Sequence, residues 1–205
     1  MKEMKGILFK PDMIRAIVEG RKTQTRRVIK IPEDGRIKDG SQFKDGYVMI
    51  CFDQSGLADW KKQYARYQVG ETVYIKETLY RHPYLDEAGY MLDETPVFIN
   101  QTIGDCLKWR WQKDILTGMF MPQEAARSHI VITDVRTERL QEIAWYDVPK
   151  EGIQDDTWSI GKNRFVKKTP ERLISDFKHL WDSINKPPFD WKANPWVWVI
   201  SFKVV

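Results

Sequence analysis

Cysteine, histidine and long apolar runs are scarce in this chain, and each scarcity removes a class of function. The two cysteines, Cys51 and Cys106, lie far apart and form no C-x-x-C spacing. Neither a thiolate metal knuckle nor a disulfide framework is spelled out, and a reduced, cytoplasmic setting is expected. The three histidines, His82, His129 and His179, have no second histidine or cysteine at ligand spacing, which predicts no dedicated metal site. No window approaches the ~18 uninterrupted apolar residues of a membrane helix. The opening stretch MKEMKGILFKPD lacks the continuous apolar run of a secretory signal, so no membrane association is expected. A glycine-rich phosphate loop, a repeating β-α-β rhythm, an internal repeat and a heptad pattern are absent too, and no cofactor is implied.

What remains is rich in material for a core. The 205 residues are 42% apolar and carry nine tryptophans, eight tyrosines and nine phenylalanines, too heavy an aromatic load for a disordered tail or a histone-like arm. Thirty-three basic residues against twenty-nine acidic ones leave a net charge of only +4. That surplus alone names no partner.

Periodicity gives an outline. Gly6 to Lys10 reads as a short strand, followed by a helix from Pro11 that sets Met13, Ile14, Ile17 and Val18 on one face and ends at Gly20. Thr23 to Ile29 is β-branched and strand-like. Residues 30–46 hold Asp-Gly pairs at 34–35, 39–40 and 45–46 among charges, which predicts a loop. Tyr47 to Phe52 and Thr72 to Lys76 read as strands. About 79–120 reads as an irregular insertion with one or two short strands. His129 to Val135 alternates as a strand, and Glu138 to Val148 suits a short helix. Thr169 caps and Pro170 opens the clearest helix, with Leu173, Ile174, Phe177, Leu180, Trp181 and Ile184 at helical spacing. Trp196 to Val204 alternates with both faces partly apolar, so a central strand is expected. The sum is an α+β chain, one domain with a loop and an insertion, best fitted by a small mixed β-barrel with helices at its ends.

The basic residues are not spread evenly. Five of the ten residues from Arg21 to Lys30 are basic, namely Arg21, Lys22, Arg26, Arg27 and Lys30, with no acid among them. A charged strand edge that blocks aggregation is the plainer reading. The alternative is an anion site, because adjacent like charges repel and a phosphate or carboxylate gives a reason to tolerate that. If the strand begins at Thr23, Thr25 and Arg27 share a face and Arg26 takes the other. Lys22, in the turn before it, is placed to reach back toward Thr25. An amine can deprotonate a threonine hydroxyl only if its pKa falls well below ~10.4, and burial and neighbouring cations both act in that direction.

Gly20-Arg21-Lys22-Thr23-Gln24-Thr25-Arg26-Arg27 resembles the G-x-K-x-x-T-x-R signature of the ASCH superfamily, whose members have a PUA-like β-barrel. The helix before it, residues 69–78, Met121-Pro122 with Ala125-Ala126-Arg127, Thr133 to Arg136 with Glu138 to Gln141, and Asn194 to Val199 look like the longer members found in phages and prophages. The resemblance implies recognition of RNA or a nucleotide at the signature loop, with Gly20, Arg21, Arg26, Arg27 and Lys76 as substrate-binding candidates. Some smaller members are amidohydrolases acting on N4-acetylcytidine through a lysine, a threonine and a glutamate, and others have been described as ribonucleases. Carried over, the lysine is Lys22 and the threonine Thr25. The glutamate is Glu171, in the helix before the last strand, or Glu77, which closes the strand after Gly70. Lys76 departs from the arginine usual in longer members, which keeps the charge and loses the bidentate fork.

Three chemistries follow. In amide hydrolysis, Thr25 attacks the acyl carbon, Lys22 takes its proton, a glutamate orients Lys22, and Arg27 or a backbone N–H steadies the oxyanion. In a non-catalytic module, the same loop holds phosphates while tryptophans stack on bases. Lys108-Trp109-Arg110-Trp111 is the candidate for stacking, with a half-buried core strand as the plainer reading. A metal-independent ribonuclease would use the same cluster, but the Lys-x-x-Thr pair suits acyl chemistry better. The partner expected is RNA or a modified nucleoside or nucleotide.

Overall fold

Proline at the first turn and apolar residues three and four apart produce the first helix, α1, Pro11–Val18, which follows strand β1, Gly6–Leu8. In the computed structural model, which describes residues 4–30, 42–44, 47–49, 64–159 and 164–205, the chain then reverses through Gly20 at a φ of 74°. The backbone N–H groups of Arg21 and Lys22 both donate to the Ala16 carbonyl at 2.9 Å, which closes the helix end and aims the chain into strand β2, Gln24–Val28. A hairpin of β3, Gln42–Lys44, and β4, Tyr47–Met49, follows. The Asp-Gly pairs of the expected loop, and Cys51, lie outside the described residues.

Strand β5 is Thr72–Lys76. The insertion then forms a sheet of its own from β6, Leu79–Arg81, β7, Ala88–Tyr90, and β8, Ile115–Leu116. It has three short strands where one or two were expected, and a separate core that includes Leu79, Val97, Leu107 and Trp109. Trp109 is thus buried, packed edge-to-face on Trp111 at 4.9 Å, and fills this core as the plainer reading had it, although residues 109–111 form no strand.

Strand β9, His129–Arg139, runs longer than the alternating stretch suggested, because Glu138 and Arg139 continue the ladder opposite Val197 and Trp196. The helix expected over 138–148 is instead three 3₁₀ turns, Leu140–Glu142, Trp145–Asp147 and Pro149–Glu151. Strand pairing takes the first residues, and Pro149 has no N–H with which to continue a helix. A hairpin of β10, Asp156–Ser159, and β11, Arg164–Lys167, leads to α2, Pro170–Ile184, capped by Thr169 as expected. Strand β12, Trp196–Val204, ends the chain's regular structure.

The main sheet has the order β1-β5-β9-β12-β2, with β1 and β5 parallel and the remaining pairs antiparallel. Helix α1 covers one face with Ile14 and Ile17 against Ile75, Ile130, Ile200 and Phe202. Helix α2 covers the other with Leu173, Phe177 and Trp181 against Val197 and Val199. β12 is central, apolar on both faces. The sheet curls until its edges meet: the Arg27 guanidinium on β2 donates to the Leu8 carbonyl on β1. The α+β class read from the sequence holds, and the barrel expected with it is an open one, bridged by this side chain and not by strand pairing among the described residues. No helix among these residues is long and apolar enough to cross a membrane.

Candidate active site around Lys22

The register of β2 on β12 fixes which way the signature residues face. Thr25 lies opposite Ile200 and Arg27 opposite Trp198, both in the core beneath α1, so Thr25 and Arg27 point there together. Arg26 lies opposite Val199 and turns to the α2 side. This is the alternation anticipated from spacing. Thr25 is buried, at 4% exposure.

Lys22 is the largest fully enclosed side chain of the protein's described residues, with a side-chain exposure of 0%. Its stem packs against Gly152, where a Cβ would come within 3.2 Å of both Lys22 Cδ and Ala16 Cβ. Its amine donates to the carbonyls of Gln24 at 2.8 Å and Glu151 at 2.7 Å, and more distantly to Glu151 Oε2 at 3.3 Å. The ring of Phe9 lies beneath, 5.6 Å from Nζ to its centroid. Burial pushes the Lys22 pKa below the ordinary lysine range; Glu151 opposes this, and Arg27 and Arg26 add to it. The desolvation wins because water is excluded from the whole ammonium while one carboxylate answers it.

Glu151 is the residue that sequence reasoning missed. It sits at the end of the turn Pro149–Glu151, which docks on the free edge of β2 through the Thr23 N–H to Lys150 carbonyl bond. Its second oxygen accepts from Arg26 at 2.7 Å. Arg26 in turn donates to Glu138 at 2.9 Å, Glu138 accepts from Arg136 at 2.6 Å, and Asp147 holds Lys150 at 2.8 Å. Arg21 pairs with Glu19 and donates to the Gly152 carbonyl. The basic block that carries no acid in sequence is therefore largely compensated in space. Arg27 differs: it reaches no carboxylate among the described residues, lies over the Phe9 ring at 5.4 Å, and has its pKa lowered by burial.

Glu77, Glu171 and Lys76 have partners other than Lys22. Glu77 is buried at 2% exposure and locked in a two-pronged pair with Arg127, at 2.8 and 2.6 Å. Glu171 is exposed in the first turn of α2, held below the usual carboxylate range by a backbone hydrogen bond and by Thr169. Lys76 donates to the Met119 carbonyl at 2.8 Å. Gly20 makes the turn and nothing lies within 4 Å of where its Cβ would be. A pocket of about 190 Å³ opens between the start of α1 and the β5–β6 junction. Its walls include Leu8, Phe9, Ile14, Glu77, Met91 and Leu92. Phe9 is thus a wall of the pocket and the floor of the Lys22 amine. No cluster of three or more His, Cys, Asp or Glu side chains fit to hold a metal occurs among the described residues.

No family model and no curated protein matches the chain. Two solved structures align with most of the chain. A protein of Enterococcus faecalis V583 described under family DUF984 aligns over 100% of this chain and 82% of its own, at 11% identity and a TM-score of 0.41. An ASCH domain from Lactobacillus crispatus JV V101 aligns over 98% of this chain and 79% of its own, at 12% identity and a TM-score of 0.37. The chemistry of the site rests on its own residues.

Proposed function

We propose that this chain acts on a nucleoside or on RNA and hydrolyses an N-acyl group, of the N4-acetylcytidine kind, with Thr25 as nucleophile, Lys22 as general base and Glu151 as the carboxylate that positions Lys22. The observation that carries this reading is the enclosed Lys22 amine, depressed in pKa, bonded to a buried carboxylate and to the carbonyl of Gln24, the residue before a buried threonine. Two backbone carbonyls, Gln24 and Glu151, can hold the two N–H groups of a neutral amine, and its lone pair must turn from Glu151 Oε2, 3.3 Å away, toward Thr25 for the attack. Deprotonated, Lys22 accepts the Thr25 hydroxyl proton as the oxygen attacks the acyl carbon. The C–N bond then breaks, the proton passes to the leaving amine, and water cleaves the resulting ester. Arg27, on the same face as Thr25, supplies charge for the oxyanion. Because Lys22 is enclosed, substrate entry displaces Phe9, the ring shared by the amine and the pocket.

The test is release of cytidine from N4-acetylcytidine by purified protein, compared with Lys22→Ala, Thr25→Val and Glu151→Gln. Activity lost in all three supports the reading; no release by the unaltered chain at high concentration contradicts it. A non-catalytic RNA-binding module is the second reading, favoured by one observation: all three donors of a Lys22 ammonium already have acceptors within the protein. RNA affinity that falls with salt, without turnover, would select it.

A further inference from the structure

Most tryptophans of the described residues serve the core: Trp109, Trp181 and Trp198 are 6%, 4% and 8% exposed. Trp145 and Tyr146 do not. They lie side by side on the turn Trp145–Asp147, are 50% and 60% exposed, and meet edge-to-face at 5.8 Å and 77°. The turn is not loose. Asp147 is pinned by Lys150 at 2.8 Å and approached by Arg136 at 3.6 Å. The next residue, Val148, is fully buried against the α2 core. Two large rings are therefore held outward on a rigid base, an arrangement that leaves apolar area in water unless something covers it.

The surrounding charge indicates what covers it. The acids of the network point inward, with Glu151 and Asp147 side chains 5% and 12% exposed, while their cationic neighbours Lys150, Arg21 and Arg136 are 50%, 35% and 33% exposed. Glu19 and Asp134, 54% and 53% exposed, balance Arg21 and Arg136, which leaves Lys150 as the outward cation beside the rings. Lys150 also lies 5.9 Å from the Tyr146 ring centroid. Outward rings beside an outward ammonium match flat bases joined by phosphates, and only unpaired bases have free faces to offer.

We propose that the Trp145–Tyr146 pair is a base-stacking platform for a single-stranded polynucleotide, an inference that rests on the proposed nucleotide-directed function and specifies that the substrate base arrives within a strand. The platform turn continues directly into the turn that carries Glu151, so a strand stacked there is anchored beside the element that grips Lys22.

The experiment is a fluorescence-anisotropy titration of a labelled single-stranded RNA oligonucleotide against the full chain at low salt, with the same sequence as a duplex for comparison. Wild type should prefer the single strand. The double variant Trp145→Ala, Tyr146→Ala should bind it about tenfold or more weakly, the size of a lost stacking contact, and Trp145→Phe should retain most of the affinity. Both side chains are exposed, so melting temperatures should stay close to wild type. Equal affinity of wild type and double variant overturns the proposal, as does failure of wild type to bind the strand. A dimer of wild type that the double variant loses in sedimentation, with no strand binding, would make the surface a protein interface and also overturn it. Binding is read without turnover, so an absence of nucleoside hydrolysis would sink the function proposed above and leave this result to stand or fall by itself.

Discussion

Two buried carboxylates, Glu151 and Glu77, sit in the same molecule with different partners. Glu77 is gripped by both prongs of Arg127, which also reaches Asp93 at 2.7 Å and lies over the Tyr90 ring at 3.9 Å. Burial works against the Arg127 charge, but the hydrogen bonds of Glu77 and Asp93 outweigh it and push its pKa up. A guanidinium so held never releases its proton. This pair ties the β5–β6 junction to the segment entering β9. Glu151 instead shares a lysine with two carbonyls, and that lysine is driven toward neutrality by burial. The same two ingredients, a buried acid and a base, give a two-pronged clamp in one place and a lysine with a lowered pKa in the other. The identity of the cation decides which.

The most severe way to break this contrast is to give Glu151 the partner that Glu77 has. Lys22→Arg should lower N-acyl hydrolysis by about 10³-fold or more, since a base that cannot deprotonate removes the attack step; initial rates measured on folded protein check it. Conversely, Glu77→Ala removes both bonds of a buried carboxylate, leaves Arg127 with Asp93, and should cost about 2 kcal/mol, seen as a lower urea midpoint. Gly152→Ala should cost roughly 1–2 kcal/mol in the same assay. It must hold a φ of 98° and press a methyl to 3.2 Å from Ala16 Cβ and Lys22 Cδ. The smallest effect is on pH dependence. Lys22 has a folded pKa below its unfolded value, so between the two the unfolded chain binds the proton that the folded chain has released. Stability should therefore rise with pH across that window and level off above the unfolded pKa. Urea midpoints of wild type minus those of Lys22→Met isolate this contribution, and a difference that stays flat or falls with pH would remove the claimed depression.

Much of the frame was legible. The spacing of Ile14 and Ile17, the Thr169-Pro170 cap and the two-sided apolar pattern of Trp196 to Val204 each report local physics, and α1, α2 and the central β12 follow them. The opposite facings of Thr25 and Arg26 came from strand alternation alone. Glu151 was not legible for a topological reason: 129 residues separate it from Lys22, and only the docking of Pro149–Glu151 on the edge of β2 brings them together. A weak local signal existed in Glu151-Gly152, an acid followed by a residue free to take the left-handed turn and the close packing against Lys22 that the site requires. The charge block misled for the same reason. Counted along the chain it has no acid, but Arg26 meets Glu138 and Glu151 from 112 and 125 residues away. The open edge of the sheet, bridged by Arg27 to Leu8, likewise depends on curvature that no single segment encodes.

The central claim is that Lys22 is a lysine poised to lose its proton. It is tested most directly by NMR titration of protein labelled at the lysine side chains, with Lys22→Met identifying the signal. One resonance, absent from that variant, should titrate well below the ordinary lysine value of about 10.4, while exposed lysines such as Lys167 do not. A Lys22 signal that titrates at or above the ordinary value would make its pair with Glu151 a second fixed clamp, and the catalytic reading would be contradicted.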